Sequence, residues 1–439
     1  MRTVRTRTHR AITIITTILA LTVFSVAVRA DAVGDWNLIA QQATITAGSA
    51  RPGPTGVIDV AMVHAAIYDA VQALEGKYQP YYVDIPGADG SSVAATAKAA
   101  RDILVNRFPT QTASLDIVYQ NYLSANGILP TDPGIDVGAR AAAGIIALRA
   151  CDGAFPNPAP PPFIGGMGIG VWRPTPPANS PMNPGPWLGQ VTPFLMTRPF
   201  QFRASPPPEL TSRRYARDYN EVKRLGGALG TGERTPEQTD QGYFWAGNFG
   251  VMLNSLVREL SNQHVDNIAD SSRLFALTSM SQADSIIAVW NDKAYYVYWR
   301  PITAIHNGDL DGNPRTEGDP TWAALIATPP DPDYTSGANG ITGATMRALR
   351  NFFRTDHIDF SVTTTNTGPT TLDTREFKRF SDAAQEVVDA RIYLGIHFRF
   401  ADEAARTLGF RIADHGYRNY FQSTHHHWGD DLGDLAARR

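Results

Sequence analysis

Residue types that bind anions are concentrated in the last third of this 439-residue chain. Lys293 and Arg300 are seven positions apart, and at about 100° per residue this spacing places both cations on one face of a helix, two turns apart. Further along, Ser336 and Gly337 precede a helix-like run, and the first backbone N–H groups of a helix are free to bind an anion. The spacing therefore predicts that the two cations grip one ligand together, next to a hydroxyl and glycine amides.

A third segment adds a cation, Arg391, and an imidazole, His397, with Gly395 between them. Taken singly, a Lys–Arg pair is more often a solvated helix face, and a single histidine is more often a core or surface residue. Cations, a hydroxyl, glycine amides and a histidine in this order instead favour a pocket for a trigonal or tetrahedral oxyanion. Phosphate and its congener vanadate are the predicted ligands.

The elements that must position these residues are predicted to be helices, because apolar residues recur at intervals of three and four along most of the chain. The predicted helices cover 59–74, 92–108, 114–124, 136–149, 211–227, 236–246, 250–260, 272–299, 343–353, 374–393 and 402–421. The helix over 272–299 would carry Lys293 near its C-terminal end, and Pro301 limits its continuation. His64 lies inside the first predicted helix and is interpreted as a core histidine.

Between Phe155 and Pro208 proline is so dense that helix is excluded and extended, polyproline-like chain is favoured. Large apolar residues such as Trp172 and Phe194 are interleaved, and flexible linkers seldom carry them. The segment is therefore predicted to be an ordered strap that lies across the helices. With one short β-hairpin indicated around 359–371, the predicted fold is all-α: a large helical bundle with a proline-rich strap.

The first thirty residues have the features of an export signal, because four arginines precede an apolar run and Ala30 completes a small-x-Ala cleavage site. No later stretch approaches the ~18 to 20 uninterrupted apolar residues that a second membrane span requires. We expect an exported protein, periplasmic or extracellular, with an uncleaved anchor as the alternative. The predicted parts are a signal peptide, 1–30, an N-terminal helical part, 31–153, the strap, 154–210, and a C-terminal helical part with the site, 211–439.

The composition is typical of a globular protein, with 43% hydrophobic and 10% aromatic residues. A formal net charge of -3 provides no global positive field, which argues against nucleic acid or an anionic membrane surface as a partner. The single cysteine excludes an intramolecular disulfide. Small molecules are therefore the predicted partners, and a homodimer is compatible with the sequence.

The three segments together resemble the signature of the superfamily of type-2 phosphatidic acid phosphatases and vanadium-dependent haloperoxidases: K-x6-R-P, then P-S-G-H, then S-R-x5-H-x3-D. The matching residues are Lys293, Arg300 and Pro301 in the first block, Ser336 and Gly337 in the second, and Arg391 and His397 in the third. Stretches outside the blocks, such as MVHAAIYDAV and LFALTSMSQADSIIAVW, are similar to bacterial members of the haloperoxidase-like branch. The resemblance runs from about residue 36 to the third block and implies the helical-bundle fold of that branch.

The resemblance implies a role for each matched residue. His397 would supply a ring nitrogen as the axial ligand to vanadium. The groups that would neutralise or hydrogen-bond the other oxygens of vanadate are Lys293, Arg300, Arg391, the Ser336 hydroxyl and the Gly337 amide. Lys293 is also the candidate catalytic cation that makes a bound peroxide more electrophilic towards a halide. The implied function is a haloperoxidase that binds vanadate, with phosphate as a competing occupant, and uses hydrogen peroxide to oxidise a halide or small organic acceptor.

The chain departs from the signature at the position that matters most for proton transfer. Ala338 stands where the signature has a histidine, and alanine cannot act as an acid or base. Ala401 replaces the aspartate after His397, and Asp402 would point about 100° away on a helix. His306 is a candidate for supplying the missing imidazole from a following loop. Two alternatives stay open: an acid phosphatase-like phosphoric ester hydrolase with a phosphohistidine, and a non-catalytic oxyanion-binding relative that has lost its acid–base histidine.

Overall fold

The computed structural model describes residues 31–424, so the predicted signal segment lies outside the described residues. Within that range the chain forms thirteen α-helices and one two-stranded antiparallel sheet, which confirms the predicted all-α class. The helices are α1 (Ala32–Ile45), α2 (Gly56–Glu75), α3 (Ser92–Arg107), α4 (Thr112–Ala125), α5 (Gly134–Arg149), α6 (Arg213–Leu225), α7 (Pro236–Phe244), α8 (Phe249–His264), α9 (Ile268–Tyr296), α10 (Pro301–His306), α11 (Gly337–Phe353), α12 (Phe380–Tyr393) and α13 (Arg399–Asn419). The strands are β1 (His357–Thr363) and β2 (Thr374–Arg379).

The hairpin corrects one predicted helix. Residues 374–379, expected to open a helix, form β2, and the helix begins only at Phe380. Phe360 of β1 pairs with Phe377 of β2, and their rings stack with centroids 5.5 Å apart, while the ring of Phe380 lies 5.2 Å from that of Phe360. Cross-strand aromatic packing therefore outweighs the weak local preference of this segment for helix.

The α9 helix, 29 residues long, is the axis of the fold. Asn267 caps its first turn by accepting a hydrogen bond from the Asp270 N–H at 2.9 Å, and most of the helix is buried between α2, α11 and α13. Apolar residues from both halves of the chain, including Ile67 of α2 and Leu277 of α9, belong to one continuous hydrophobic core. Lys293, itself fully buried, is thereby fixed in the last turn of this central helix.

One apolar stretch, Gly53–Glu75, is long and apolar enough to cross a membrane by length and composition alone. In the fold, however, 89% of its most apolar window is buried inside the protein. This stretch contains α2, which packs against α3, α5 and α9. Its hydrophobicity is accounted for by its place in the core.

Two glycines bring α11 and α13 into close contact. A Cβ atom at Gly409 would lie 2.4 Å from the carbonyl oxygen of Gly340, and one at Gly343 would lie 2.6 Å from that of Arg406. Since no side chain larger than hydrogen fits at either position, glycine permits the close packing of these helices. This packing fixes the first turn of α11, with Ser336 and Gly337, beside the start of α13.

The proline-rich segment is an ordered strap, as predicted. Trp172 and Leu195 are fully buried. The segment also contains one short 3-10 helix, Pro186–Gln190, within the described residues. Three consecutive backbone N–H groups, those of Phe194, Leu195 and Met196, donate hydrogen bonds of 2.6 to 2.8 Å to the buried carboxylate of Asp284. Asp284 belongs to α9, so the strap is tethered to the same helix that carries Lys293.

Candidate oxyanion site

Lys293 and Arg300 approach each other, but they do not share a helical face as predicted. The α9 helix ends at Tyr296, and Val297 adopts a left-handed backbone conformation with φ of 48°. Arg300 then precedes α10 in an extended conformation, with Pro301 as the first residue of that helix. The expectation of one continuous helix was therefore wrong, because the chain reverses between the two cations.

The two cations meet at a carboxylate that the sequence motifs did not indicate. The Oδ1 atom of Asp331 lies 2.8 Å from Lys293 Nζ and 2.7 Å from Arg300 Nη2. Burial disfavours the ionised carboxyl, but the charges of Lys293 and Arg300 outweigh that effect and lower the pKa of Asp331 below its usual 3.8. Asp331 is thus an ionised partner of both predicted site cations.

Backbone carbonyls hold the same cations. Arg300 donates from Nε to the Asp331 carbonyl at 2.7 Å and from Nη1 to the Ile396 carbonyl at 2.6 Å. Lys293 Nζ donates to the carbonyl of Pro332 and, at 3.4 Å, to that of Asp333. Burial lowers the pKa of Lys293 below its usual 10.5, opposed by Asp331. The positions of both cations are therefore set by neutral acceptors as well as by the carboxylate.

His397 lies against Arg300 at the start of α13. Its Nε2 is 3.0 Å from Arg300 Nη1, and its Nδ1 is 2.8 Å from Asp333 Oδ1. Since a guanidinium can only donate, Nε2 is the accepting nitrogen and the ring proton is assigned to Nδ1. Burial first, and then the nearby cations, hold the pKa of His397 well below 6.5, so the ring is neutral with a lone pair on Nε2.

Gly395 sets the turn that delivers this histidine. Its φ is 77°, a left-handed conformation, and a Cβ atom there would lie 2.2 Å from the Gly226 carbonyl oxygen. Arg391, at the end of α12, donates from Nη1 to the Trp245 carbonyl at 3.1 Å, while its buried Nε has no hydrogen-bond partner in the described chain. Burial lowers the pKa of Arg391 to about 10, so it stays a cation at neutral pH. A buried cationic N–H without an acceptor fits an anion site.

The second block, Ser336 and Gly337, is connected to Asp402. Asn339 Nδ2 donates to Asp402 Oδ1 at 2.8 Å, and a hydrogen bond from Ser336 lowers the pKa of Asp402 against the effect of burial, which raises it to about 7. Asp402 was expected to point away from the site, but the close packing of α11 on α13 places it behind the Ser336 hydroxyl. Its proximity was missed because helix geometry alone does not report a neighbouring helix.

A cavity of about 470 Å³ unites the segments. Its polar wall contains Arg300, Asp331, Arg391, His397, Gly337 and Ala338. Its apolar wall contains Val57, Phe249, Ile286, Trp290 and Ile341. Lys293 does not line this cavity but forms an ion pair with the lining residue Asp331, and Ser336 is also not among the lining residues. A larger surface cleft of about 970 Å³ near Trp322 is lined by none of the six predicted site residues.

The histidine proposed to replace the missing imidazole is elsewhere. His306 Nε2 lies 2.7 Å from the Trp322 carbonyl oxygen, and His306 does not line the cavity. Within residues 31–424, His397 is the one imidazole in the cavity wall. No group of three or more His, Cys, Asp and Glu residues that could hold a metal ion occurs in that range. The groups that line the cavity, which include cations, backbone amides and one ring nitrogen, could hold an oxyanion.

The ionisation of the buried carboxyl groups sets the net positive charge of the site. Burial raises the pKa of Asp333 well above 3.8 in spite of Arg300 and Lys293, which favours its neutral form. Asp331 neutralises one of the three cations. The remaining charge, the free Arg391 Nε and the neutral ring of His397 fit an oxyanion, whereas the Asp331 carboxylate opposes one.

Comparison with known proteins agrees with this architecture. Residues 273–426 match the family model described as the second helical-bundle domain of VCPO. Vanadium chloroperoxidase from Curvularia inaequalis is 28% identical over 289 residues, which cover 51% of this chain and 47% of that protein. The chain therefore spans about half the length of this curated relative.

Solved structures share the fold. A bacterial vanadium-dependent iodoperoxidase superposes with a TM-score of 0.74 at 23% sequence identity, covering 90% of this chain and 97% of that one. A holo-type bacterial vanadium-dependent chloroperoxidase gives a TM-score of 0.67 at 17% identity, covering 86% and 94%. At these identities the likeness establishes the helical architecture.

Proposed function

We propose that this chain binds vanadate and uses hydrogen peroxide to oxidise halides. The premise is that it belongs to the superfamily of vanadium-dependent haloperoxidases and type-2 phosphatidic acid phosphatases. The observation that carries the proposal is the convergence of Arg300, Arg391 and His397 on one cavity wall, with a neutral imidazole and an unpartnered cationic N–H. These groups fit an oxyanion better than they fit a cationic or a purely apolar ligand.

His397 would hold vanadate through Nε2, the nitrogen that carries the lone pair. Arg391 would donate from its free Nε, Arg300 from Nη1, and the backbone amide of Gly337 from the start of α11. Bound vanadate supplies a Lewis-acidic centre that activates peroxide. Lys293, whose charge is buried beside Asp331, would lower the energy of negative charge that develops at the ligand.

The apolar wall bounds the space that a small acceptor would use. Phe249, Trp290 and Ile341 line the same cavity as the cations, and their apolar surface disfavours water beside them. A halide, or a small organic acceptor, would bind between the two walls. Phosphate is the competing occupant of the same cations.

A non-catalytic oxyanion-binding role is the second candidate, and Ala338 favours it. The Ala338 methyl group lines the cavity where the superfamily signature has its acid–base histidine. Among the cavity residues of the described chain, His397 is the one imidazole, and it is committed to ligand binding in the proposal. Such a protein would bind vanadate or phosphate and show neither peroxidase nor phosphatase turnover.

Two assays on the purified protein test the proposal. The first measures vanadate binding, and the second measures peroxide-dependent bromination with and without vanadate. We expect bromination that requires vanadate, and we expect His397→Ala to weaken vanadate binding by about 100-fold or more. His306→Ala, which changes a histidine outside the cavity, is the matched control and should bind as the wild type does. Bromination that does not need vanadate, or that survives His397→Ala, would contradict the proposal.

Restoring the missing imidazole separates the two candidates. Ala338→His should raise turnover by about 100-fold if a general acid or base is all that is lacking. Ala125→His, on the exposed face of α4, controls for the addition of an imidazole anywhere in the chain. Tight vanadate binding without bromination in either protein would support the non-catalytic role. Phosphate release from a model ester without vanadium would support the phosphohistidine alternative.

Export is a further part of the proposal. Residues 1–30 have the composition of a signal segment. N-terminal sequencing of protein recovered from the periplasm or medium should begin at Asp31. Recovery of the full-length chain in the membrane fraction would instead support the uncleaved anchor.

A further inference from the structure

The Asp331 carboxylate occupies the positions at which an oxyanion would contact two of the predicted cations. Its Oδ1 accepts from both Lys293 Nζ and Arg300 Nη2 within 2.8 Å. A carboxylate oxygen shared by two cations has the geometry expected for an oxygen of a bound phosphate or vanadate. Asp331 therefore resembles an internal ligand more than a surface ion pair, with its side chain 9% exposed at the cavity wall.

The cations do not need this carboxylate to stay in place. Arg300 is held by the carbonyl oxygens of Asp331 and Ile396, and Lys293 by those of Pro332 and Asp333. These acceptors are backbone groups that no side-chain substitution removes. Loss of the Asp331 charge would therefore leave both cations in place, with Arg300 in the cavity wall, and without their anionic partner.

The carboxylate also lies in the same wall as the groups proposed to hold the oxyanion. Asp331, Arg391, His397 and Gly337 line one cavity of about 470 Å³. An oxyanion bound in this cavity would be repelled by the ionised Asp331 carboxylate. The repulsion grows with the charge of the ligand. Removing one negative charge should accordingly benefit a dianion more than a monoanion.

We propose that Asp331 is an internal counter-anion that competes with the oxyanion for Lys293 and Arg300, lowers the affinity of the cradle and biases it towards ligands of low charge. The inference rests on the proposed oxyanion site and adds a specificity-determining residue to it. Ligand entry displaces the carboxylate from the two cations. No covalent step is involved.

Calorimetry tests the proposed role of Asp331. It compares the binding of vanadate and of molybdate to wild type and to Asp331→Asn at neutral pH. Asp331→Asn should bind vanadate about 10-fold more tightly, with a larger gain for molybdate, which carries two negative charges. Asp331→Glu keeps the charge and should show no gain. Asp414→Asn, which removes a carboxylate from a pair with Arg347 outside the cavity, should also leave binding unchanged.

Unchanged or weaker binding by Asp331→Asn would overturn the inference, because it would make Asp331 a structural partner that orients the cations. In that case wild-type binding of vanadate would still support the proposed function. Binding by the variant alone would support the inference and overturn vanadate binding by the natural chain. Absence of binding in both would overturn both. Thermal unfolding checks that the variant is folded, and Asp331→Ser provides a second neutral replacement.

Discussion

Two buried histidines lie in regions of opposite character. His64 of α2 belongs to a neutral amide layer, whose members are Asn37, His64, Asn254, Gln282 and Thr345. His397 belongs to a charged cluster, whose members are Lys293, Arg300, Asp331, Asp333 and His397. Both rings are almost completely buried, and both lose basicity for the same first reason, desolvation. Burial and pKa alone therefore do not distinguish them.

The distinction lies in what each ring nitrogen faces. The Nε2 of His64 accepts from Asn37 Nδ2 at 2.8 Å, and its ring stacks on Phe275 with centroids 5.0 Å apart. The Nε2 of His397 faces a cation at the wall of a cavity. Both lone pairs accept a hydrogen bond, but that of His64 does so inside the core, whereas that of His397 does so at the wall of a cavity that a ligand can enter. This difference gives the first histidine a role in packing and supports the proposed role of the second in binding.

The largest expected effect is on the acid sensitivity of folding, to which His64 contributes. Burial, with Arg258, lowers the pKa of His64 to about 3, from 6.5 in the unfolded chain. Between these values the unfolded chain binds a proton that the folded chain does not, so the free energy of unfolding falls as the pH falls, by about 1.4 kcal/mol per pH unit and roughly 5 kcal/mol in total. His64→Gln should flatten this loss in denaturant unfolding measured from pH 6.5 downwards. An unchanged slope would contradict the role given to His64.

The second difference concerns stability at neutral pH. His64→Ala should lower the free energy of unfolding by about 3 kcal/mol, because it opens a closed void and deprives Asn37 of an acceptor. His397→Ala should cost less than about 1 kcal/mol, since the space it leaves joins the existing cavity and admits water. Denaturant unfolding of both variants is the measurement. Equal losses would remove the distinction between the two regions.

The smallest effect sharpens the comparison inside the charged cluster. Asp333 contacts the Nδ1 of His397, so Asp333→Asn should weaken vanadate binding by about 10-fold through poorer orientation of the ring. The expected sign is opposite to that for Asp331→Asn, although the two aspartates are two residues apart. Asp389→Asn, which removes a surface partner of Arg399, is the control. A gain of affinity in Asp333→Asn would contradict the role of Asp333 in positioning the ring.

Much of the fold was predictable because helical periodicity persists over long segments of the chain. The strap was predictable as well, since proline density and interleaved aromatic residues indicate extended chain that is nonetheless packed. The segment 374–379 was not predictable as strand, because its pairing depends on Phe360 in another part of the sequence. Tertiary contact outweighs local preference there.

The site was predictable in its cations and not in its carboxylates. Four of the predicted site residues, Arg300, Gly337, Arg391 and His397, line one cavity, whereas Lys293 and Ser336 are not among its lining residues. Asp331 and Asp333 come directly before the Tyr-Thr-Ser-Gly segment. Their role was not predicted, because acidic residues are not among the residue types that indicate an anion site. The prediction that Lys293 and Arg300 share a helical face was wrong, because residue spacing does not reveal that α9 ends at the left-handed residue Val297.

The strap has a consequence for how this molecule can diversify. Asn183 lines the cavity, and the carbonyl of the next residue, Pro184, accepts a hydrogen bond from Trp290 Nε1 at 3.0 Å. The rim of the cavity is therefore built partly from non-helical chain, far in sequence from the groups that hold charge. Mutations in the strap can reshape the entrance while the helices that carry the cations stay unchanged. The shape of the cavity entrance and the arrangement of the cations can thus be altered separately, by natural variation or by engineering.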